Sequence, residues 1–97
     1  MKLERIYFTE VAERLSRATL SPMHIGHVNI LVCGWNHYRQ RHGRAPINFP
    51  QRVKDNVEWQ RAHGLTANRQ RFFFSDELEL FSRYAGYDLT KSTTDNQ

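Results

Sequence analysis

The fold of this chain depends on one stretch, residues 21–41, with the sequence SPMHIGHVNILVCGWNHYRQR. Ser21 is a favourable residue just before a helix, and Pro22 suits the first turn, where its missing N–H costs nothing. The apolar residues that follow form two stripes at helical spacing. One stripe is Met23, His27, Ile30, Leu31 and Tyr38, and the other is Ile25, Val28, Val32 and Trp35. Two stripes imply burial on more than one side, so we predict a central helix over residues 22–41.

A helix is also predicted before this stretch, over residues 3–18. Its apolar residues fall on one side of a helical wheel, and its charged residues fall largely on the other. A break near Phe8 is the alternative, because Thr9 could cap a shorter helix. Residues 3–8 would then be an extended lead-in.

Two further helices are predicted after the central helix. Pro50 can open a third helix, which His63-Gly64 would end, because glycine readily adopts the left-handed backbone that closes a helix. Ser75 and the acidic residues that follow it match the N-terminus of a fourth helix, over residues 76–85.

The remaining segments predict connections and a tail. Pro46 and Pro50 prevent the central helix from continuing and mark an exposed connector. Residues 72–74, three phenylalanines, fit a short strand, a helical turn or an aromatic patch. We therefore predict an all-α fold: a small bundle of three to four helices in one domain over residues 1–90, followed by a flexible polar tail over 91–97.

Charge is distributed unevenly along the chain. Residues 35–71 contain eight Lys or Arg and two acids and carry +6, whereas residues 1–34 carry +1 and residues 72–97 carry −3. The net charge is +4. A dipolar surface of this kind suits a macromolecular partner better than a small substrate.

Several functional classes are disfavoured by what the sequence lacks. The start of the chain has no apolar run of the kind found in signal peptides, and the longest apolar run, residues 30–33, is far too short to span a membrane. The lone Cys33 cannot form an internal disulfide, and its apolar neighbours predict a buried, unreactive thiol. We expect a soluble protein of the cytoplasm that needs no cofactor.

Metal binding and catalysis are not expected either. His24 and His27 have an acceptable spacing for two ligands on a helix, but zinc needs four converging ligands and there is no second close pair. No nucleophile beside a base and no glycine-rich phosphate loop stand out. We predict packing or surface histidines and a protein that is not an enzyme.

The basic segment supplies the candidate partner-binding residues. Guanidinium groups meet phosphates and aromatic rings stack on unpaired bases, but the same residue types also dominate protein interfaces. Direct nucleic-acid contact and a protein partner therefore both remain open, whereas Trp35 and Tyr38 are expected in the core. The candidates are Arg39, Arg41, Arg44, Arg69, Arg71, Trp59 and Phe73.

The proline connector suggests another contact. Peptide bonds before proline reach the cis form more readily than others, so an exposed loop of this kind is a plausible ligand for a prolyl isomerase. The residues concerned are Pro46, Phe49 and Pro50. The alternative interpretation is a rigid linker.

The chain resembles the small anti-RecBCD accessory proteins of lambdoid phages. The resemblance rests on length, basic balance and the runs at residues 35–42 and 46–50. It implies a non-enzymatic phage protein of the host cytoplasm that binds the RecBCD helicase-nuclease through its RecC subunit. Binding would alter the nuclease activity and favour phage recombination. The alternative function is that of a small basic DNA- or RNA-binding regulatory protein.

Overall fold

A computed structural model describes residues 4–91 and shows a mostly helical fold with one small sheet. In chain order the elements are β1 (Arg5–Tyr7), α1 (Phe8–Thr19), α2 (Ile25–Arg41), α3 (Phe49–Ala62), β2 (Phe72–Phe74) and α4 (Ser75–Ala85). The helical prediction is confirmed, but the fold is not purely all-α, because β1 and β2 pair with each other. Of the predicted tail, only Lys91 lies within the described residues.

The strands β1 and β2 form an antiparallel ribbon that the sequence left undecided. Ile6 pairs with Phe73 at its centre, and the flanking pairs follow the same register. The N–H of Phe8 donates to the carbonyl of Arg71 at 2.9 Å and extends the ladder. Because alternate side chains of a strand point to opposite faces, Ile6 and Phe73 enter the core while the residues beside them face α3.

The helix α1 begins at Phe8, so the alternative of a shorter helix after an extended lead-in places the break correctly. Its cap was wrong, because Tyr7 precedes the helix and the Thr9 hydroxyl donates to Gln70 at 3.0 Å. The helix ends with Leu20 in the left-handed region at φ 57°, the one non-glycine residue with positive φ within residues 4–91. The side chain of Leu20 is 91% exposed. Leucine is unusual at this position, because its Cβ crowds the backbone in a left-handed conformation and glycine avoids the crowding.

We therefore expect Leu20→Gly to raise the free energy of unfolding by about 1 kcal/mol, since it relieves the left-handed strain and removes no buried contact. Urea denaturation measures the change. The control is Leu65→Gly, at an exposed loop leucine with negative φ, which should leave stability unchanged or lower it. Equal effects of the two substitutions would contradict this explanation.

The helix α2 begins at Ile25, three residues later than the sequence predicted. The backbone N–H of Ser21 donates to the last turn of α1 and so closes that helix instead of opening the next. His24 caps α2: its Nδ1 accepts from the N–H of Gly26 at 3.0 Å, and its own N–H donates to Nδ1 of His27 at 3.1 Å. These two histidines have a local structural role at the start of the helix.

The central position predicted for α2 is only partly correct. Val28, Val32 and Trp35 are buried, but Ile30 and Tyr38 on the other predicted stripe are 72% and 47% exposed. The helix is therefore buried mainly on one side.

Cys33 is exposed on α2, so the prediction of a buried thiol is wrong. Apolar neighbours in sequence did not imply burial here, because successive residues of a helix point in different directions.

An aromatic cluster forms the centre of the core. Phe73 is fully buried, and its ring centroid lies 4.8 Å from that of Phe81, 5.1 Å from Phe8, 5.5 Å from Phe49 and 5.9 Å from Trp35. These residues come from β2 and from each of the four helices. A few large rings thus supply much of the buried area, as the composition suggested.

Long polar side chains fasten α3 to the ribbon and to the first turn of α4. The Tyr7 hydroxyl accepts hydrogen bonds from the amides of Asn56 at 3.1 Å and Gln60 at 3.0 Å. Arg52 and Glu77 form a two-pronged ion pair, with 2.8 Å between Nη2 and Oε2. Because these contacts run through side-chain ends, they leave space between the helix and the ribbon.

The segment after α4 is docked at least as far as Leu89. Gly86 has φ 83° and ends the helix in the predicted way. Leu89 is fully buried, and its N–H donates to the Ser82 hydroxyl at 3.1 Å. The hydroxyl of Thr90 donates to the carboxylate of Asp88, and so does the backbone N–H of Thr90. Both hydrogen bonds lower the pKa of that carboxyl, and the hydroxyl contributes more.

Candidate partner-binding groove

A concave site of about 440 Å³ lies where the end of α2 meets α4. Its side chains come from two helical faces and from the turn after α2. They are Trp35, Tyr38, Arg39, His42, Arg44, Leu80, Arg83 and Tyr84. The residues from each helix are spaced by three and four positions, so each set lies on one face of its helix. We call this site the α2–α4 groove.

The side chain of Tyr84 on α4 reaches the backbone of α2 at Gly34. A Cβ atom at this position would lie 2.6 Å from the Tyr84 hydroxyl, which is too near for an undisturbed side chain. The absence of a side chain therefore lets the Tyr84 ring lie against α2. There it meets Tyr38, with ring centroids 5.5 Å apart, and Tyr38 in turn contacts the His42 ring at 4.2 Å.

Half-exposed apolar surface and positive charge occur together in the α2–α4 groove. Tyr38, Tyr84 and Leu80 line its walls and keep 39–47% of their surface exposed. Arg39 lies over the buried Trp35 ring, 5.1 Å from its centroid, and its Nε donates to the carbonyl of Ala45 at 3.1 Å. These contacts hold the Arg39 guanidinium in place at the rim.

The charge of the lining is unbalanced. Three arginines and no acidic residue line the α2–α4 groove. Arg83 pairs with Glu79 at 3.2 Å, but both side chains are largely exposed, and such pairs contribute little. Within residues 4–91, Arg39 and Arg44 have no carboxylate at salt-bridge distance. Tyrosine and arginine are the residue types that are enriched in protein-binding surfaces.

The structure separates the arginines that the sequence grouped together. Arg39 and Arg44 line the α2–α4 groove, and Arg41 is exposed on the last turn of α2. Arg71 lies instead near Asn29, with 3.4 Å between Nη1 and Oδ1. Ten residues of helix, about 15 Å, separate Asn29 from Arg39. Arg69 is exposed in the segment before β2, two residues from Arg71.

Neither predicted aromatic anchor is a free surface ring. Phe73 is fully buried in the core, so its prediction as a partner contact is wrong: strand alternation turns it inward. Trp59 is half-buried and already contacts two side chains. The guanidinium carbon of Arg5 lies 4.1 Å from its ring centroid, and the His63 ring lies 4.4 Å away. Trp35 is buried as expected, whereas Tyr38 is not.

The proline connector is exposed but firmly attached. The side-chain amide of Asn36 donates to the carbonyl of Ile47 at 3.1 Å and accepts from the N–H of Ile47 at 3.0 Å. The carbonyl of Ala45 accepts from Nε of Arg39. Pro46 is therefore presented between two anchored residues.

Phe49 is 2% exposed, so its prediction as a prolyl-isomerase contact is wrong, because the ring fills the core at the start of α3. Pro50 is exposed in the first turn of α3, and no cis peptide bond occurs in the described chain. A prolyl-isomerase contact at Pro46 and Pro50 stays a prediction.

Sequence reasoning missed six of the eight residues of the α2–α4 groove. Trp35 and Tyr38 were expected in the core, and His42, Leu80, Arg83 and Tyr84 were not among the candidates. Leu80 and Tyr84 lie off the helical face that Leu78, Phe81 and Ala85 share, and large side chains at such positions were the available signal. Among the described residues, His, Cys, Asp and Glu form no group of three or more that could hold a metal ion. None of the helices seen here has the length and apolar content that crossing a membrane requires.

Comparisons with protein-family models, with curated proteins and with solved structures give no match. The interpretation of the α2–α4 groove therefore depends on its own geometry and charge.

Proposed function

We propose that this protein is a non-enzymatic docking protein of phage type that binds the host RecBCD helicase-nuclease through RecC and alters its nuclease and recombination activity. The observation that carries the docking role is the α2–α4 groove, where Arg39 and Arg44 share one concave surface with the exposed rings of Tyr38 and Tyr84. Within residues 4–91 neither of these two arginines has a carboxylate at salt-bridge distance. The identity of the partner follows from the resemblance of the chain to anti-RecBCD accessory proteins.

Charge favours docking over imitation of DNA. A protein that inhibits a nuclease by DNA mimicry presents an acidic surface. This chain instead has a net charge of +4, and its groove contains three arginines. An acidic or polar surface of the enzyme is the complementary partner.

The placement of the basic residues favours a protein partner over nucleic acid. A nucleic-acid backbone is usually followed by a continuous basic track. Here Arg39 and Arg44 lie at one end of α2, and Arg71 lies beside its first half. The tyrosines of the groove are also partly packed, which limits base stacking.

The test is binding to purified RecBCD and to RecC alone, with the nuclease activity on linear DNA as a second readout. We expect Tyr84→Ala and Arg44→Glu each to weaken binding by about 30-fold, the effect of losing a 2 kcal/mol interface contact. Gly34→Ala should also weaken it, because the new Cβ displaces Tyr84 while every lining side chain remains.

The control is Arg17→Glu, which makes the same charge change as Arg44→Glu at an exposed position of α1. The affinity of this variant for RecBCD should lie within about twofold of that of the unsubstituted protein, since single surface charges have small effects. Failure to bind RecBCD or RecC at micromolar concentration would contradict the proposal. Tight binding to random-sequence DNA that disappears at moderate salt would instead support the nucleic-acid regulator.

A further inference from the structure

Arg39 presents a free guanidinium edge in the α2–α4 groove. Its Nε donates to the carbonyl of Ala45, and its guanidinium lies over the Trp35 ring, so the side chain is already fixed in place. Its two terminal nitrogens have no hydrogen-bond partner within residues 4–91, and neither of them is buried. These two nitrogens form the end of a planar fork, which matches the two oxygens of a carboxylate.

The other ionisable groups of the groove favour an anion as well. His42 and Arg44 are exposed just after α2. Arg83 is paired with Glu79, but the two side chains are 72% and 62% exposed, so an incoming anion can compete for this arginine. No aspartate or glutamate lines the groove. An anionic group therefore meets several cations there and no lining carboxylate that would repel it.

Accessible apolar surface lies beside these cations. Leu80 and Tyr84 are one helical turn apart on α4, and each keeps 39% of its surface exposed. The complementary ligand thus combines an anionic group with a nearby apolar one. A peptide does so wherever an acidic residue has apolar neighbours. A volume of about 440 Å³ holds a few side chains of such a segment.

The aromatic rings of the groove suit nucleic acid less well. Tyr38 contacts the His42 ring at 4.2 Å and the Tyr84 ring at 5.5 Å. The Trp35 ring is 2% exposed and lies beneath Arg39. Single-stranded nucleic acid relies on bases that stack on free ring faces, and these contacts restrict such stacking.

We propose that the α2–α4 groove recognises an acidic segment of the partner protein, in which carboxylates alternate with apolar side chains. One carboxylate pairs end-on with the two terminal nitrogens of Arg39, and further carboxylates are attracted by Arg44 and Arg83. The apolar side chains pack on Leu80 and Tyr84. The proposal rests on the docking role of the groove and adds the chemistry that the docked segment must have.

The probe is the acetylated and amidated pentapeptide Glu-Leu-Glu-Phe-Glu, titrated into the full chain and followed by NMR. We expect saturable shifts of the Arg39 Nε–H and the Leu80 methyl groups, and none of the Trp59 indole N–H, because Trp59 lies outside the groove. The matched peptide Gln-Leu-Gln-Phe-Gln keeps the apolar residues. It should bind at least about tenfold more weakly, because charge-assisted hydrogen bonds are lost. Inorganic phosphate and a thymidine oligonucleotide are the competing anions.

Variants separate recognition from folding. Arg39→Gln removes the fork and should weaken binding of the acidic peptide at least about tenfold. The matched control is Arg41→Gln, on the same last turn of α2 but outside the lining, which should change the affinity by no more than about twofold. Glu79→Gln releases Arg83 and should tighten binding about two- to threefold, a gain that misfolding cannot produce.

Equal binding of the two peptides, equal effects of Arg39→Gln and Arg41→Gln, or stronger binding of phosphate or the oligonucleotide would overturn the proposal. Failure of the RecBCD docking gives a different result. If RecBCD binds and Tyr84→Ala weakens it, but the acidic peptide gives no saturable shift, only the acidic segment is wrong. If the acidic peptide binds as expected and RecBCD does not, the chemistry of the groove is supported and the partner is wrong.

Discussion

Phe73→Ala is expected to remove about 3–5 kcal/mol from the free energy of unfolding, the usual cost of deleting a buried ring. The Phe73 ring lies within 6 Å of four other aromatic centroids, so its loss leaves a cavity that none of them can fill without moving. A domain of this size has about 5–10 kcal/mol of stability in total. Urea denaturation followed by circular dichroism measures the loss.

The control for Phe73→Ala is Tyr87→Ala, which removes an aromatic ring that is 42% exposed. It should change stability by no more than about 0.5 kcal/mol, as is usual for surface substitutions. The outcome also discriminates between the core and the surface roles of Phe73. A Phe73→Ala protein that keeps its stability but loses a partner would restore the anchor role that the sequence suggested.

The second large effect is expected at the ion pair between Arg52 and Glu77. Both side chains are mostly buried, at 21% and 18% exposure, and Oε1 of Glu77 also accepts from the N–H of Phe74 at 2.9 Å. Glu77→Ala leaves a cation beside aromatic rings and a backbone donor without its partner. We expect a loss of about 2–3 kcal/mol, below the cost for a fully buried pair because water still reaches this one.

A double-mutant cycle of Arg52→Ala and Glu77→Ala isolates the coupling, for which we expect about 1–2 kcal/mol. The matched ion pair is that of Arg83 with Glu79, which also joins an arginine to a glutamate of α4. Its side chains are 72% and 62% exposed. Its coupling should not exceed about 0.5 kcal/mol. Equal couplings in the two cycles would show that burial of Arg52 and Glu77 does not strengthen their interaction.

The helices were largely predictable because local signals define them. Gly86 ends α4 through a left-handed backbone, and acids in the first turn of α4 favour its start. The start of α2 was misplaced because two local signals compete for the same segment. Ser21 has the chemistry of a helix cap, but its backbone completes the turn that closes α1, and His24 takes over the capping.

The candidate sites were predictable only in part. Arginine and aromatic content indicated a binding surface, and Arg39 and Arg44 do line the α2–α4 groove. The sequence could not indicate that Tyr84 completes this surface, since that depends on the Tyr84 side chain reaching Gly34 of α2. It also gave no sign that Arg5, near the start of the chain, stacks on Trp59.

The sequence by itself determined four helical segments and an excess of positive charge in the middle of the chain. It also determined a number of apolar residues that suffices for the core of one small domain. Periodicity, capping and composition act over a few residues, so these properties need no knowledge of the fold. Only the tertiary structure decided that Phe72–Phe74 is a strand, that Phe73 is buried, and that the arginines separate into distinct places. Pairing with Arg5–Tyr7 joins segments more than sixty residues apart, and no local pattern encodes a contact at that separation.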